Sequence, residues 1–360
     1  ARLGATTVIL EETPWLGGML TSAGVSAIDG NYRLFSGLWE EFRQNLYDLY
    51  GGADSVKTGW VSNVLFEPHR AAKLLKQMTD AEENCSVYTK TVLTDIHQTA
   101  SGWRVSAEWN GRKLNFSARI VIDATELGDV AARVGIPYDI GMDSRHDTGE
   151  EIAPEETNDI VQDLTYVAIL KDYGPDADKT ITPPDDYDPA AFYCTCAGRC
   201  DPDSIGRTLW PCDKMMTYGK LPNGYYMINW PIYGNDYYVN VIEKSPVERQ
   251  AAFQEAKNFT LGYIYYLQSE LGYKHLGIAD DVYPTEDGLP FFPYHRESRR
   301  IHGKVHFTVN DLARPFEQKL PLYRTGIAVG DYPVDHHHAA YPDAASVPDL
   351  HFYPVPSYSL

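Results

Sequence analysis

Hydrophobic and polar positions along the first third of the chain switch period, and each switch marks an element. The run TTVIL is short, apolar and β-branched, which predicts a buried strand over residues 5–11 closing on Glu11. FSGLWEEFRQNLYDLYGG, 35–52, repeats its apolar residues at helical spacing and stops on Gly51 and Gly52. EPHRAAKLLKQMTDAEE predicts a second helix around 67–83. The period then becomes two: SVYTKTVLTDIHQT and WRVSAEW read as strands, with a hairpin turning about Asn110-Gly111. The hairpin leads into RIVIDAT, 119–125, an uninterrupted apolar run expected to be a strand buried on both faces.

Residues 141–240 break this regularity. EEIAPEETND and DYGPDADKTITPPDDYDPAAF are acidic and rich in proline, as surface excursions are, and strand-like DLTYVAIL and GYYMINWP interleave them. Ser245-Pro-Val-Glu248 is a capping box with proline at the first helical position, opening a helix that runs to about Gly272. KVHFTVNDL and TGIAVGDYP then read as strands. Strands alternate with helices near the front, a mixed section intervenes, and strands return. This order predicts an α/β fold: a Rossmann-like nucleotide-binding domain over 1–140, an inserted mixed α+β substrate domain over 141–320, and a return to the first domain over 321–360.

Charge and composition narrow the partners. A net charge of −19 argues against nucleic acid, whose phosphates would be repelled. No run of eighteen apolar residues encodes a membrane span. Cys194, Cys196, Cys200 and Cys212 crowd one stretch without zinc-ribbon spacing and without a histidine among them, which favours two disulfides over a metal site. Sequons begin at Asn84, Asn115 and Asn258, and with the clustered cysteines they point to a secreted glycoprotein. No signal peptide is visible. The start ARLGATTVIL reads as the tail of a helix before a strand, and HFYPVPSYSL stops without a closing element. The chain is therefore expected to be a fragment at both ends.

Three constellations carry candidate chemistry. Glu11 ends a strand where an acid can accept ribose hydroxyls, and Gly17 and Gly18 behind it allow close backbone approach to a cofactor. VIDATELGDVAARVGI, 121–136, repeats the geometry of strand, tight turn and helix N-terminus, with Asp129 the expected helix cap. HRESRR, 295–300, concentrates arginines that can clamp a carboxylate, and DYPVDHHHAA sets Asp335 beside His336, His337 and His338. Neighbours on an extended chain point to opposite faces, so the three histidines are not read as a metal site. His295 is an outside candidate for proton transfer.

These stretches also carry a resemblance. ILEETPWLGGMLTSAGV, VIDATELGDVAARVGI, YHRESRRIHG and GIAVGDYPVDHHHA resemble, in the same order, motifs of the FAD-dependent oxidoreductase family of the glutathione-reductase-like FAD superfamily, in the branch called xanthan lyase-like. The family's G-x-G-x-x-G loop would precede Ala1, and its FAD-closing segment would follow Leu360. The resemblance implies FAD as cofactor, with Glu11 on the ribose, Gly17 and Gly18 along the cofactor, and Thr125 and Gly128 lining a second FAD-contacting turn. It favours His337, oriented by Asp335, as the base, with Arg296 and Arg299 anchoring substrate or tuning the ring. The expected activity is oxidation of a small organic or carbohydrate substrate, a sugar or polyol, with O₂ or another redox partner as electron acceptor. The other readings are a non-catalytic extracellular glycan-binding relative and a polysaccharide lyase.

Overall fold

The computed structural model describes residues 1–206, 208–314, 316–317, 332 and 334–347. Strand β1 (Thr7–Glu11) is followed by helices α1 (Gly37–Tyr50) and α2 (Pro68–Asp80) and then by strand β2 (Cys85–Thr89). β2 lies parallel to β1, in register from Thr7 opposite Cys85 to Glu11 opposite Thr89. Parallel neighbours need a long crossover, and the two helices supply it. α1 stops where Gly51 takes a φ of +84°, and α2 starts on Pro68. Phe42 and Leu46 of α1, Ala71 of α2 and the intervening Val56, Val64 and Phe66 form their shared core.

β3 (Thr91–Thr99), β4 (Gly102–Trp109) and β5 (Arg112–Ala118) form an antiparallel meander. Asn110 and Gly111, with φ of +49° and +73°, make the two-residue turn between β4 and β5, the positive pair that a type I′ hairpin requires. The expected strand over 119–125 does not form. β5 ends at Ala118, and Ile120 and Ile122 are 78% and 84% exposed. An apolar run becomes a buried strand only beside a partner, and among the described residues no strand lies next to it.

Short elements follow: α3 (Asp129–Arg133), β6 (Tyr138–Asp139), α4 (Arg145–Thr148), β7 (Leu164–Thr165), β8 (Ala168–Asp172), α5 (Pro202–Ile205), α6 (Cys212–Met216), β9 (Tyr225–Ile228) and β10 (Asp236–Tyr237). Then come the long helix α7 (Pro246–Ser269), β11 (Leu276–Ile278), β12 (Arg300–Ile301) and α8 (Val309–Ala313). α7 carries the capping box read from the sequence, Ser245 and Glu248 each bonding the other's backbone N–H. Its residues Ala256, Tyr263, Ile264 and Leu267 share one core with Leu170 of β8, Ile228 of β9 and Leu276 of β11, three strands that form one antiparallel sheet. Two polar side chains buried by this packing are paired: Thr260 donates to the Tyr166 carbonyl at 2.7 Å, and Gln268 donates to the Lys179 and Leu276 carbonyls.

Where KVHFTVNDL predicts a strand, the structure has coil and then α8. Thr308 and Asp311 form a second capping box there, a local pairing that prevails over the alternating pattern. The strand expected from TGIAVGDYP lies outside the described residues except for Tyr332, which is in coil. Two disulfides, Cys194–Cys200 and Cys196–Cys212, staple the loop before α6, as the cysteine spacing led one to expect. Among the described residues no helix is long and apolar enough to cross a membrane.

Candidate functional site

Glu11 stands at the carboxyl end of the parallel pair, the edge at which open α/β sheets bind ligands. One carboxylate oxygen accepts from the Thr13 backbone N–H at 2.8 Å, and the other takes no partner among the described residues. A carboxylate held by its neighbour and open on one side is the acceptor that the hydroxyl donors of a ribose diol need. The glycines behind it have protein, not open space, around them. A Cβ on Gly17 would sit 2.6 Å from Leu75 and 2.7 Å from Thr21, so the missing side chain lets α2 close on the turn. A Cβ on Gly18 would sit 2.7 Å from Oε1 of Glu126. That contact brings the first turn against the second, and burial together with the Glu11 charge raises the Glu126 carboxyl. Of the dinucleotide-facing set, the Glu11 acceptor fits FAD, whereas the side-chain space at Gly17 and Gly18 is filled from within.

The second turn is organised by Asp123. Its carboxylate accepts from the Thr125 backbone N–H and hydroxyl at 2.9 and 2.7 Å and from the Ala131 N–H at 2.7 Å. Thr125 in turn receives the Asp129 N–H at 2.9 Å. Asp123 and Thr125 therefore satisfy the start of α3, and the expected cap, Asp129, faces elsewhere. Gly128 takes the N-cap position with a φ of +68°. Asp129 accepts a fork from Arg249 at 2.5 and 2.8 Å and a bond from Arg299 at 2.7 Å, and these cations hold its carboxyl low against its partial burial.

Arg299 is fully committed. Its five N–H groups reach the Leu127 and Ile242 carbonyls, Asp129, and Glu243 twice, at 2.7–3.2 Å, with the guanidinium over the Tyr138 ring. Its β-carbon lies against Gly128. The geometry ties the second turn to β12 and leaves Arg299 no donor for a substrate, contrary to the clamp expected from the arginine-rich motif.

The other half of that motif enters a different cluster. Arg296, only 6% exposed, donates to the Asp163 carbonyl at 2.8 Å and to Asp236 at 2.9 Å, and it lies over the Tyr294 ring. Asp236 also accepts from the Thr165 hydroxyl, its register partner across β7 and β10, and from Nδ1 of His337 at 2.8 Å. Nε2 of His337 lies 3.2 Å from Asp335. The backbone of His337 is pinned on both sides, its N–H by the Gln162 side chain at 3.0 Å and its carbonyl by the Asp163 N–H at 2.7 Å. The structure thus brings together Arg296, Asp335 and His337 and sets Arg299 apart with the second turn.

Charges in this cluster oppose one another strongly. Burial favours a neutral Asp236, but Arg296 and His337 hold it at about 2. Burial and Arg296 push His337 down, and the two flanking carboxylates prevail, so it titrates above its ordinary value. Asp163, buried and near Asp236, is pushed up to about 7, and burial does the same to Glu297, which accepts from the Gln162 N–H at 3.0 Å. Asp29 still reaches solvent, yet the protein crowded about it and the Asp335 charge raise it to about 6. The Tyr218 hydroxyl sits in the field of Asp29, Tyr332, Arg296 and Asp236, while its ring contacts Trp60 and Trp230 at centroid distances of 4.9 and 5.2 Å. His295, the outside candidate, is buried near Arg249 and held at about 4, beside the Phe253 ring. Asp236, Thr165, Asp163 and Asp29 were not singled out from the sequence, because each is an isolated polar residue outside any motif.

A parallel strand pair with helical crossover, an acid at its carboxyl edge and a buried histidine–carboxylate cluster define a nucleotide-dependent enzyme of the α/β class. The whole chain, residues 1–360, matches the family described as FAD dependent oxidoreductase, and the chain belongs to that family. It is an FAD-dependent oxidoreductase with FAD as its cofactor and the Rossmann-like α/β fold of that family. No curated protein and no solved structure matches it.

Proposed function

We propose that the enzyme oxidises a hydroxylated organic molecule, a sugar or polyol, with His337 removing the hydroxyl proton. The carrying observation is the setting of His337: a backbone pinned on both sides and a ring whose nitrogens each meet a carboxylate. A general base must be held in register with the bond it breaks, and this histidine has little freedom to move. When bound, FAD takes up the two electrons released by the substrate carbon. Glu11 would hold the ribose through its open carboxylate oxygen, and Thr125 and Gly128 would line the second cofactor turn. Asp335 orients His337, and Arg296 keeps the acid behind it ionised. Arg299 supports the reaction from a distance by holding the second turn. The phenol groups of Tyr218, Tyr294 and Tyr332, all in the field of Asp29, support a substrate rich in hydroxyls, since each offers a flat face and a polar tip. The two disulfides support an oxidising, extracellular compartment.

The test is anaerobic flavin bleaching in the FAD-loaded protein against a panel of sugars, polyols and simple alcohols. His337→Ala is expected to slow substrate-driven bleaching by at least about 100-fold while FAD stays bound. An unchanged rate removes His337 from the chemistry. Bleaching by non-hydroxylated compounds alone removes the sugar or polyol.

A further inference from the structure

We infer that Asp236 is a positioning residue that fixes the tautomer of His337, so that Nδ1 keeps its proton and Nε2 is the nitrogen that exchanges one. The inference rests on the reading of His337 as base. Asp236 is 6% exposed and sits on β10 directly opposite Thr165 of β7, a place set by strand register. Three donors converge on its carboxylate: the Thr165 hydroxyl, Arg296 at 2.9 Å and His337 Nδ1 at 2.8 Å. An ionised carboxylate only accepts, so a nitrogen facing one carries a hydrogen; Nδ1 meets the nearer and more buried of the two carboxylates, so as the ring loses a proton it is Nε2 that gives it up. The same arrangement, a buried acid behind a histidine, fixes ring orientation and raises basicity at other protein sites.

Asp335 differs in kind. Its contact with Nε2 is longer, 3.2 Å, and its side chain is 22% exposed, against 5% for Asp236. Asp335 is the outer partner, on the side from which a substrate hydroxyl approaches, and Asp236 is the inner one. Among the described residues, charged and titratable groups about His337 include Asp236 from β10, Arg296 two positions after Tyr294, Asp163 from the segment before β7, and Asp335, His336 and His338 from its own segment. In the proton step the substrate O–H bond breaks and an Nε2–H bond forms. Nδ1 keeps its hydrogen and Asp236 remains an anion; the substrate C–H bond breaks as the C=O bond forms, and FAD, when bound, would accept that hydrogen with its electron pair. The imidazolium that results is stabilised by a carboxylate already in place.

The experiment is ¹⁵N NMR of the imidazole of His337 in the full, FAD-loaded chain, with His337→Ala used to assign the signal. Above its titration midpoint the wild-type ring is expected as the Nδ1–H tautomer; an Nε2–H tautomer overturns the inference without any variant of Asp236. In Asp236→Asn the midpoint is expected to move down, and kcat for substrate-driven bleaching to fall about 10- to 100-fold with KM little changed. A midpoint that stays in place overturns the inference even if kcat falls. These outcomes are separable from failure of the base reading, which shows as full activity in His337→Ala whatever the tautomer.

Discussion

Arg299 illustrates how one side chain's hydrogen bonds decide its role. With every N–H engaged by protein acceptors, removing it strands the Leu127 carbonyl, leaves the Ile242 carbonyl to Arg249 alone and loosens Asp129. Arg299→Ala is expected to lower stability by about 2–4 kcal/mol, at the low end for a buried ion pair because Asp129 and Glu243 are partly solvated. Thermal melting checks this. Folded molecules that retain FAD should bleach at the normal rate, any loss of activity following loss of the cofactor from the loosened second turn; a lost rate with unchanged melting and FAD content would place Arg299 on the substrate instead. The residue scale also shows what a linear sequence conceals. Asp335 and His337 are legible as a pair because two positions separate them, whereas the Asp236 contacts to Thr165 and His337 span 71 and 101 positions. Nothing in GNDYYV distinguishes that aspartate from the many others in an acidic chain.

Elements that carry their own instructions were readable, and those that depend on a partner were not. The Asn110-Gly111 turn and the Ser245–Glu248 box fix local backbone by themselves and formed where expected. RIVIDAT has the composition of a central strand, but a strand is a property of two chains side by side. The Gly17-Gly18 turn is a third case: the glycines were recognised, but not their packing, Gly17 against Leu75 of α2 and Gly18 against Glu126. Gly17→Ala is expected to cost at least about 2 kcal/mol, since a φ of +116° and contacts under 3.0 Å to Leu75 and Thr21 act together. Gly18→Ala, at a φ of +50° and meeting only the mobile end of Glu126, should cost about 1 kcal/mol. Denaturant melts of both variants rank them. Equal stability with loss of FAD from Gly17→Ala would assign that glycine to the cofactor.

Over the whole molecule, buried titration makes stability depend on pH in a definite direction. Asp163 and Glu297, both near 7 when folded, and His337, also raised, hold protons that the unfolded chain releases sooner. Their stabilisation is complete below the unfolded values and is lost as pH rises through the folded ones. His295 and His338, both lowered to about 4, act the other way below about 6.5, where the unfolded chain gains protons first. Asp236, held at about 2, loses its contribution only as pH falls below its unfolded value of 3.8. Above neutrality the raised groups act alone, and the charge of −19 adds self-repulsion. The melting temperature is therefore expected to rise on moving from pH 8 to pH 6.5 and to fall steeply below about pH 3.5. Scanning calorimetry across that range checks it, and a flat profile between pH 6.5 and 8 would contradict the assignment of protons to these buried acids.

The aromatic contacts around Tyr218 offer a practical handle. Trp60, Trp210 and Trp230, three of the seven indoles, lie within about 6 Å of one another or of this tyrosine, and its hydroxyl looks into the proposed substrate cluster. Excitation energy absorbed anywhere in that group will be shared among its members, so intrinsic emission comes with a built-in location. A ligand arriving beside the Tyr218 hydroxyl can be followed by light alone, with no label and no turnover.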